Sequence, residues 1–192
     1  MKKEEMKKED MKKEDMKKGL KVFIVSDTHG KHGNLETALE QVGKIDCFIH
    51  LGDVGDGLDY LNAIVDCEKY IVGGNGDFFA PLPRECEFLL GDKKVFITHG
   101  HKYISGGNMG GLLVEGMRRG VDIVMFGHTH MPYLETISDL ILLNPGSISL
   151  PRQKGRAPSF MLMEMSPDGE VGFQPYFLGG NNQFVSLGHS NL

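Results

Sequence analysis

Residues 21–29 read KVFIVSDTH, a short β-branched and aromatic run that stops at Asp27 and His29. Runs of this kind, bounded by Gly, Asp or Asn, read as buried strands. The arrangement recurs along the chain. CFIHL (47–51) leads into Gly52-Asp53, YIV (70–72) into Gly73-Gly74-Asn75, VFIT (95–98) into His99, and IVMF (123–126) into Gly127-His128-Thr129-His130. In an α/β sheet, ligands bind at the carboxyl ends of the strands. The pattern therefore gathers Asp27, His29, Asp53, Asn75, His99, His128 and His130 at one sheet edge, enough donors for two metal ions.

Between these runs the chain alternates in type. Strand 20–25 is followed by a helix over 34–42 with Asn34 as its N-cap, strand 46–51 by a helix near 57–66, and then comes strand 69–72. A loop carrying Pro81 and Pro83 precedes 86–91 and 94–98, which Gly91-Asp92 joins as a hairpin. A helix over 110–119 and a strand over 121–126 complete this part. Beyond it, 132–137, 140–143, 159–165 and 171–177 read as antiparallel strands split by turn residues, with no helix between them. A βαβ first part and a β-meander second part are both satisfied by an α/β fold of two sheets packed face to face with helices outside.

Residues 1–18 repeat Met-Lys-Lys-acid-acid at a spacing of five. That spacing advances Met about 140° per repeat, so no apolar stripe forms, and the segment reads as a solvated, disordered tail. Residues 19–192 read as one domain. The tail holds eight Lys against six Asp or Glu, so the chain's net charge of −5 becomes −7 over residues 19–192. Such a balance argues against long nucleic acid as a partner, though not against a small phosphate compound, since bound cations dominate a local field. No run reaches the ~20 apolar residues of a membrane helix, and the charged start does not resemble a secretory signal. Cys47, Cys67 and Cys86 are widely spaced and read as reduced thiols of a cytoplasmic protein.

The donor set is oxygen and nitrogen without thiolate. It suits Mn²⁺ foremost, with Fe, Zn²⁺, Co²⁺ or Ni²⁺ as alternatives, and it is too rich in imidazole for Ca²⁺ or Mg²⁺. Asp27 and Asp53 supply two negative charges. Against two divalent ions and one hydroxide this leaves a site of about +1, suited to a phosphate anion.

The segments SDTHG, GDVGD, GNGD, THGH and GHTH, in this order, resemble the motif series of the calcineurin-like metallophosphoesterase superfamily. With NPGSISLPR (144–152), the short chain is most similar to the compact bacterial and archaeal phosphodiesterase branch. The resemblance covers roughly 20–165. It implies a four-layer α/β/β/α sandwich and a dinuclear site. Asp27, His29 and His130 would hold one ion, Asn75, His99 and His128 the other, and Asp53 would bridge them. It also implies hydrolysis of a small phosphodiester by a hydroxide shared between the metals.

One position departs from the pattern. Many members carry His after the Asn to protonate the leaving group, supported by the second Asp of GDxxD. Here Gly76 stands in its place while Asp56 is kept. Leaving-group protonation then falls to His101, to water, or to no group.

Other histidines take plainer roles: His50 as a structural partner, His32 as a solvated loop residue, and His189 as part of a polar, disordered C-terminal stretch. Asp77 reads as a turn or supporting hydrogen-bonder. SGGNMGG (105–111) reads as a mobile loop, Asn144-Pro145-Gly146-Ser147 as a turn, and Arg152 as solvent-exposed. Three rival functions remain: a non-catalytic scaffold of the same fold, as in the retromer trafficking complex; a phosphomonoesterase; and a nuclease. The full set of ligand types favours the enzyme over the scaffold, and the acidic domain argues against the nuclease. Oligomeric state is left open.

Overall fold

The computed structural model of the protein describes residues 19–186, so the expectations for the repeat tail and for His189 lie outside it. Elements follow in the order β1 (Leu20–Val25), α1 (Gly33–Val42), β2 (Cys47–His50), α2 (Leu58–Ile64), β3 (Glu68–Ile71), β4 (Glu85–Leu90), β5 (Lys93–Thr98), α3 (Gly110–Arg119), β6 (Ile123–Met125), β7 (Pro132–Ile137), β8 (Leu140–Pro145), β9 (Ser159–Met165), β10 (Val171–Leu178) and β11 (Phe184–Ser186). They build a six-stranded sheet, β11-β10-β9-β1-β2-β3, and a five-stranded sheet, β4-β5-β6-β8-β7. Each is mixed: β1, β2 and β3 run parallel, as do β5, β6 and β8, while the outer strands are antiparallel.

The layers follow from side-chain alternation on strands buried on both faces. Val22, Ile24, Ile49, Met161 and Met163 of the first sheet meet Val95, Ile97, Ile123, Met125 and Leu143 of the second. The opposite face of the first sheet, with Phe23, Val25, Phe48, Phe160 and Leu162, packs on Leu35 and Ala38 of α1 and Leu61 of α2. The far face of the second, with Phe96, Val124 and Leu142, packs on Leu112 of α3. The architecture is thus the expected α/β/β/α sandwich.

The details differ in three places. The late strands do not form one meander: β7 and β8 join the second sheet, where β8 runs parallel to β6, and β9–β11 extend the first. Asn34 is not the cap of α1. It lies in the first turn, and its amide donates to the Ile148 carbonyl at 2.8 Å, while His32 stands at the cap without a capping side-chain bond. Strand β11 is three residues long at a sheet edge, too short to carry a period. The hairpin at Gly91-Asp92 forms as expected, with Leu90 paired to Lys93 and Gly91 at φ 60°. Among the described residues no helix is long and apolar enough to cross a membrane.

Candidate metal centre

β1, β2, β3, β5 and β6 all deliver their carboxyl ends to one edge, and the loops there are laced to each other. Beyond β1, the N–H groups of Asp27, His29 and Gly30 donate to the carbonyls of Gly52, Asp53 and Val54 at 3.0, 2.9 and 2.8 Å. These loops are unusual in backbone shape. Asp27, His29, Asp53, His128 and His130 lie at φ 57°, 47°, 54°, 67° and 59°. Non-glycine residues rarely adopt this left-handed region, and concentrations of such strain mark functional sites. The left-handed turn bends each loop sharply so that its polar side chain points back over the sheet edge.

Glycine supplies the room. Gly52 sits at φ 95°. Gly74 has an ordinary backbone, but a Cβ there would stand 2.1 Å from Asp53 Oδ1 and 2.5 Å from the Asp53 backbone nitrogen. Its role is close approach rather than a turn, so Gly74→Ala would displace the Asp53 carboxylate.

The result is a cluster. One ligand atom each from Asp27, His29, Asp53 and His130 falls within 4.8 Å of all the others. His29 Nε2 lies 3.9 Å from Asp27 Oδ1, 3.7 Å from Asp53 Oδ2 and 3.5 Å from His130 Nε2. His130 Nε2 is 3.1 Å from Asp27 Oδ1, and His99 Nε2 is 3.6 Å from Asp53 Oδ2. The ring of His128 lies 5.3 Å from that of His99, and the ring of His101 lies 5.6 Å from His99 and 6.1 Å from His128. Asn75 is exposed on the loop between Gly74 and Gly76, and the Gly76 N–H donates to Asp53 Oδ1 at 2.6 Å. Asp56 is exposed as well, with no imidazole at position 76 for it to support.

Two imidazole tautomers can be assigned from their partners. His99 Nδ1 faces the Leu51 carbonyl at 2.8 Å, and His130 Nδ1 faces the Leu150 carbonyl at 2.6 Å. A carbonyl only accepts, so both Nδ1 atoms carry the proton, and each ring when neutral presents its lone pair at Nε2. Those lone pairs face carboxylates. Both Asp27 oxygens and His99 Nε2 are buried without a hydrogen-bond partner, since the 3.1 Å approach of His130 to Asp27 lacks hydrogen-bond alignment. Lone pair against carboxylate is repulsive, and orphaned buried groups of this kind are costly. A cation between them removes both penalties. Buried oxygen and imidazole donors without thiolate therefore fit a divalent transition metal.

The charge states agree. Burial works against ionisation of Asp27, but His130 and His99 outweigh it and hold the carboxyl below its ordinary value. Burial also opposes a charge on His130, yet Asp27 raises its pKa above the ordinary value. A proton on His130 thus offsets the Asp27 charge whenever no metal is bound. Burial, then the neighbouring His99, lowers His128; burial, then His99 and His128, lowers His101.

A surrounding frame positions these groups. His50 is fully buried; its Nε2 lies 3.0 Å from Thr28 Oγ1, and its Nδ1 accepts the Gly52 N–H at 3.2 Å. Thr28 Oγ1 donates to the Val54 carbonyl at 3.2 Å, so His50 is the donor in their bond and is neutral. Asp77 accepts the N–H groups of Val54, Gly55 and Gly74 at 3.0, 2.8 and 2.9 Å, tying the loop after β2 to the loop after β3. Burial disfavours its charge, but these three donors keep its pKa below the ordinary value. Both residues are structural partners, as read from the sequence.

Asn144-Pro145-Gly146-Ser147, expected as a turn, instead ends β8 and begins a clamp that continues to Arg152. Ser147 Oγ and Ser149 Oγ both donate to the Asp27 carbonyl, at 2.9 and 2.7 Å, and Asn144 Nδ2 donates to the Gly127 carbonyl at 2.7 Å. Leu150 orients His130, and the Arg152 N–H donates to the His130 carbonyl at 3.0 Å. This segment clamps two of the ligand-bearing loops together. The available signal was a polar, small-residue run directly following an apolar strand, the same signal that marked the ligands.

His50 gives a pH prediction. Burial pushes its pKa down to about 4, whereas an unfolded His titrates near 6.5. Between these values the unfolded chain binds the extra proton, so stability falls as pH drops, by about 1.4 kcal/mol per pH unit from this group. His128 and His101 act in the same direction. Urea unfolding of chelator-treated protein from pH 6.5 to 4.5 should show this slope, and His50→Gln should flatten it. An unchanged slope in the variant would remove His50 as its source.

Comparison with known proteins agrees with this geometry. Residues 20–168 match the family model of the calcineurin-like phosphoesterase superfamily domain. A probable metallophosphoesterase of Methanocaldococcus jannaschii is 32% identical over 152 residues, covering 77% of this chain and 76% of that protein. A conserved Streptococcus pneumoniae protein, described as a predicted phosphoesterase, superposes with a TM-score of 0.70 at 28% identity, covering 87% of this chain and 93% of the other. Wild-type Vps29 of Entamoeba histolytica, complexed with Zn²⁺, superposes with a TM-score of 0.72 at 26% identity, covering 87% and 99%.

Proposed function

The chain belongs to the calcineurin-like phosphoesterase superfamily, and from that premise we propose that it hydrolyses small phosphodiesters with two divalent ions. Asp27, His29 and His130 would hold one ion, Asn75, His99 and His128 the other, with Asp53 shared; Mn²⁺ is the expected occupant. One observation carries the reading: both buried Asp27 oxygens and the buried His99 Nε2 lack a hydrogen-bond partner, an arrangement that a bound cation makes favourable. When bound, the ions would supply an activated water and neutralise charge on the phosphoryl oxygens. The protein's own share is orientation. Leu51 and Leu150 fix the imidazole tautomers, Gly76 and Gly74 fix Asp53, and Ser147 and Ser149 fix the loop of Asp27.

The direct test is hydrolysis of bis(p-nitrophenyl) phosphate and of p-nitrophenyl phosphate with Mn²⁺, Fe²⁺, Zn²⁺, Co²⁺ and Ni²⁺, with bound metal measured by mass spectrometry. Faster turnover of the diester, at about two metals per chain, supports the proposal; preferential turnover of the monoester replaces its substrate class. A scaffold reading draws on the likeness to Vps29. Because that neighbour is itself complexed with Zn²⁺, metal binding alone does not separate the two readings; turnover does.

His101 belongs to the imidazole cluster, and its Nδ1 is buried without a partner. With Gly76 at the usual acid position, it is the alternative proton donor this cluster offers. Its lowered pKa leaves little of the protonated form at neutral pH. Wild-type rates are therefore expected to fall steeply as the leaving-group pKa rises across a series of aryl phosphodiesters. A shallow dependence that steepens in His101→Ala would instead assign the acid to His101.

A further inference from the structure

A groove of about 520 Å³ opens beside the centre, a volume typical of sites for small organic ligands. Gly76 connects the two: it lines the groove, and its N–H holds Asp53, whose carboxylate a Cβ at this position would crowd at 2.9 Å. Phe78 and Phe79 line the groove, 76% and 94% exposed. They pack edge to face at 5.1 Å and meet no other ring among the described residues.

Their loop is anchored. Asp77 accepts three backbone N–H groups, its own carbonyl accepts from Ala80 N and from Arg84 Nη2, and the Arg84 guanidinium also donates to the Gly74 carbonyl. Two large rings held in water by a fixed loop, next to a reactive centre, form a platform for an aromatic group. Exposed Asp56 and Asp59 line the same groove, and neither has a hydrogen-bond or ion-pair partner among the described residues. Ionised carboxylates only accept, so they favour hydroxyl or amino donors and repel further phosphates. An acyl chain would be opposed by the acids, a bare sugar would leave the rings unused, and a polyphosphate would be repelled. A nucleoside satisfies every wall.

Resting on the phosphoesterase reading, we propose that this groove receives a nucleoside ester group of the substrate, its base on Phe78 and Phe79 and its ribose hydroxyls on Asp56 and Asp59. Adenosine tests this separately from catalysis, because it contains no phosphate to hydrolyse. Saturation-transfer NMR should show transfer to the base protons of adenosine, and none to ribose alone at the same concentration. Phe78→Ala/Phe79→Ala should weaken the apparent Kd at least tenfold, as expected for loss of base–aromatic stacking, with unfolding temperature unchanged. Asp56→Asn/Asp59→Asn should chiefly reduce transfer to the ribose protons. No transfer to adenosine, or an equal affinity in the Phe variant, overturns the proposal. So does a dimer in sedimentation velocity that dissociates in the Phe variant, which would assign the rings to a second copy of the chain. Transfer to adenosine without turnover of any phosphoester would sink the hydrolase reading and leave the groove; turnover without transfer would do the reverse.

Discussion

Asp53→Asn is expected to lower kcat for phosphodiester hydrolysis by about 10²–10³-fold, the scale associated with removing a preorganised electrostatic group. The carboxylate has two jobs that an amide cannot share. Its Oδ1 is fixed by the Gly76 N–H, and its Oδ2 lies 3.7 Å from His29 Nε2 and 3.6 Å from His99 Nε2, between the donors of both proposed ion positions. Asn keeps the bond to Gly76 but removes the charge and one acceptor, so the cost falls on holding ions rather than on the fold. The metal-free variant should unfold within a few degrees of the metal-free wild type. Steady-state kinetics at saturating metal, with bound metal counted in parallel, checks this. A variant with kcat within tenfold of wild type would mean that Asp53 is not shared between ions, and the dinuclear proposal would fail with it.

Much of this site was legible because of where polar residues fall in the chain. Parallel strands buried on both faces require continuous apolar runs, so KVFIV, CFIHL and IVMF are conspicuous, and the first polar residue after each has to sit at the carboxyl edge. The four layers could likewise be read from helical segments interleaved with those runs. Backbone conformation was not legible. Nothing in the composition of SDTHG or GHTH states that Asp27, His29, His128 and His130 adopt left-handed φ, because the energy that imposes it comes from loops remote in sequence. Ser147 and Ser149 are an example: 120 and 122 residues from Asp27, they hold its carbonyl. Asn34 failed as a cap for the same reason, its amide being used by Ile148 across the fold. The sheet assignment of β7–β11 was also hidden, since an antiparallel strand pattern does not say which of two sheets it extends.

Metal loading should have the largest effect on stability, and its pH dependence identifies the mechanism. In the metal-free protein the Asp27 charge is offset by a proton on His130, whose pKa is raised above the ordinary value near 6.5. A raised pKa gives stability that is complete below the unfolded value and is lost as pH climbs through the folded one. As pH climbs through the raised pKa of His130 the metal-free site therefore loses this compensation, while a metal ion competes with fewer protons for the same nitrogen. With free Mn²⁺ at 100 times its Kd, the bound form gains about 2.7 kcal/mol. For a chain of this length that is on the order of 5–10 °C in unfolding temperature. Scanning calorimetry with Mn²⁺ against a chelator should show the larger shift at pH 8 and the smaller at pH 6. Asp27→Asn should shrink both the shift and its pH dependence, because the buried charge that proton and metal both neutralise is gone while the donors of the other ion remain. A wild-type unfolding temperature indifferent to Mn²⁺, Zn²⁺, Fe²⁺ and Co²⁺ at both pH values would leave the orphaned oxygens of Asp27 without a cation and the catalytic proposal without its basis.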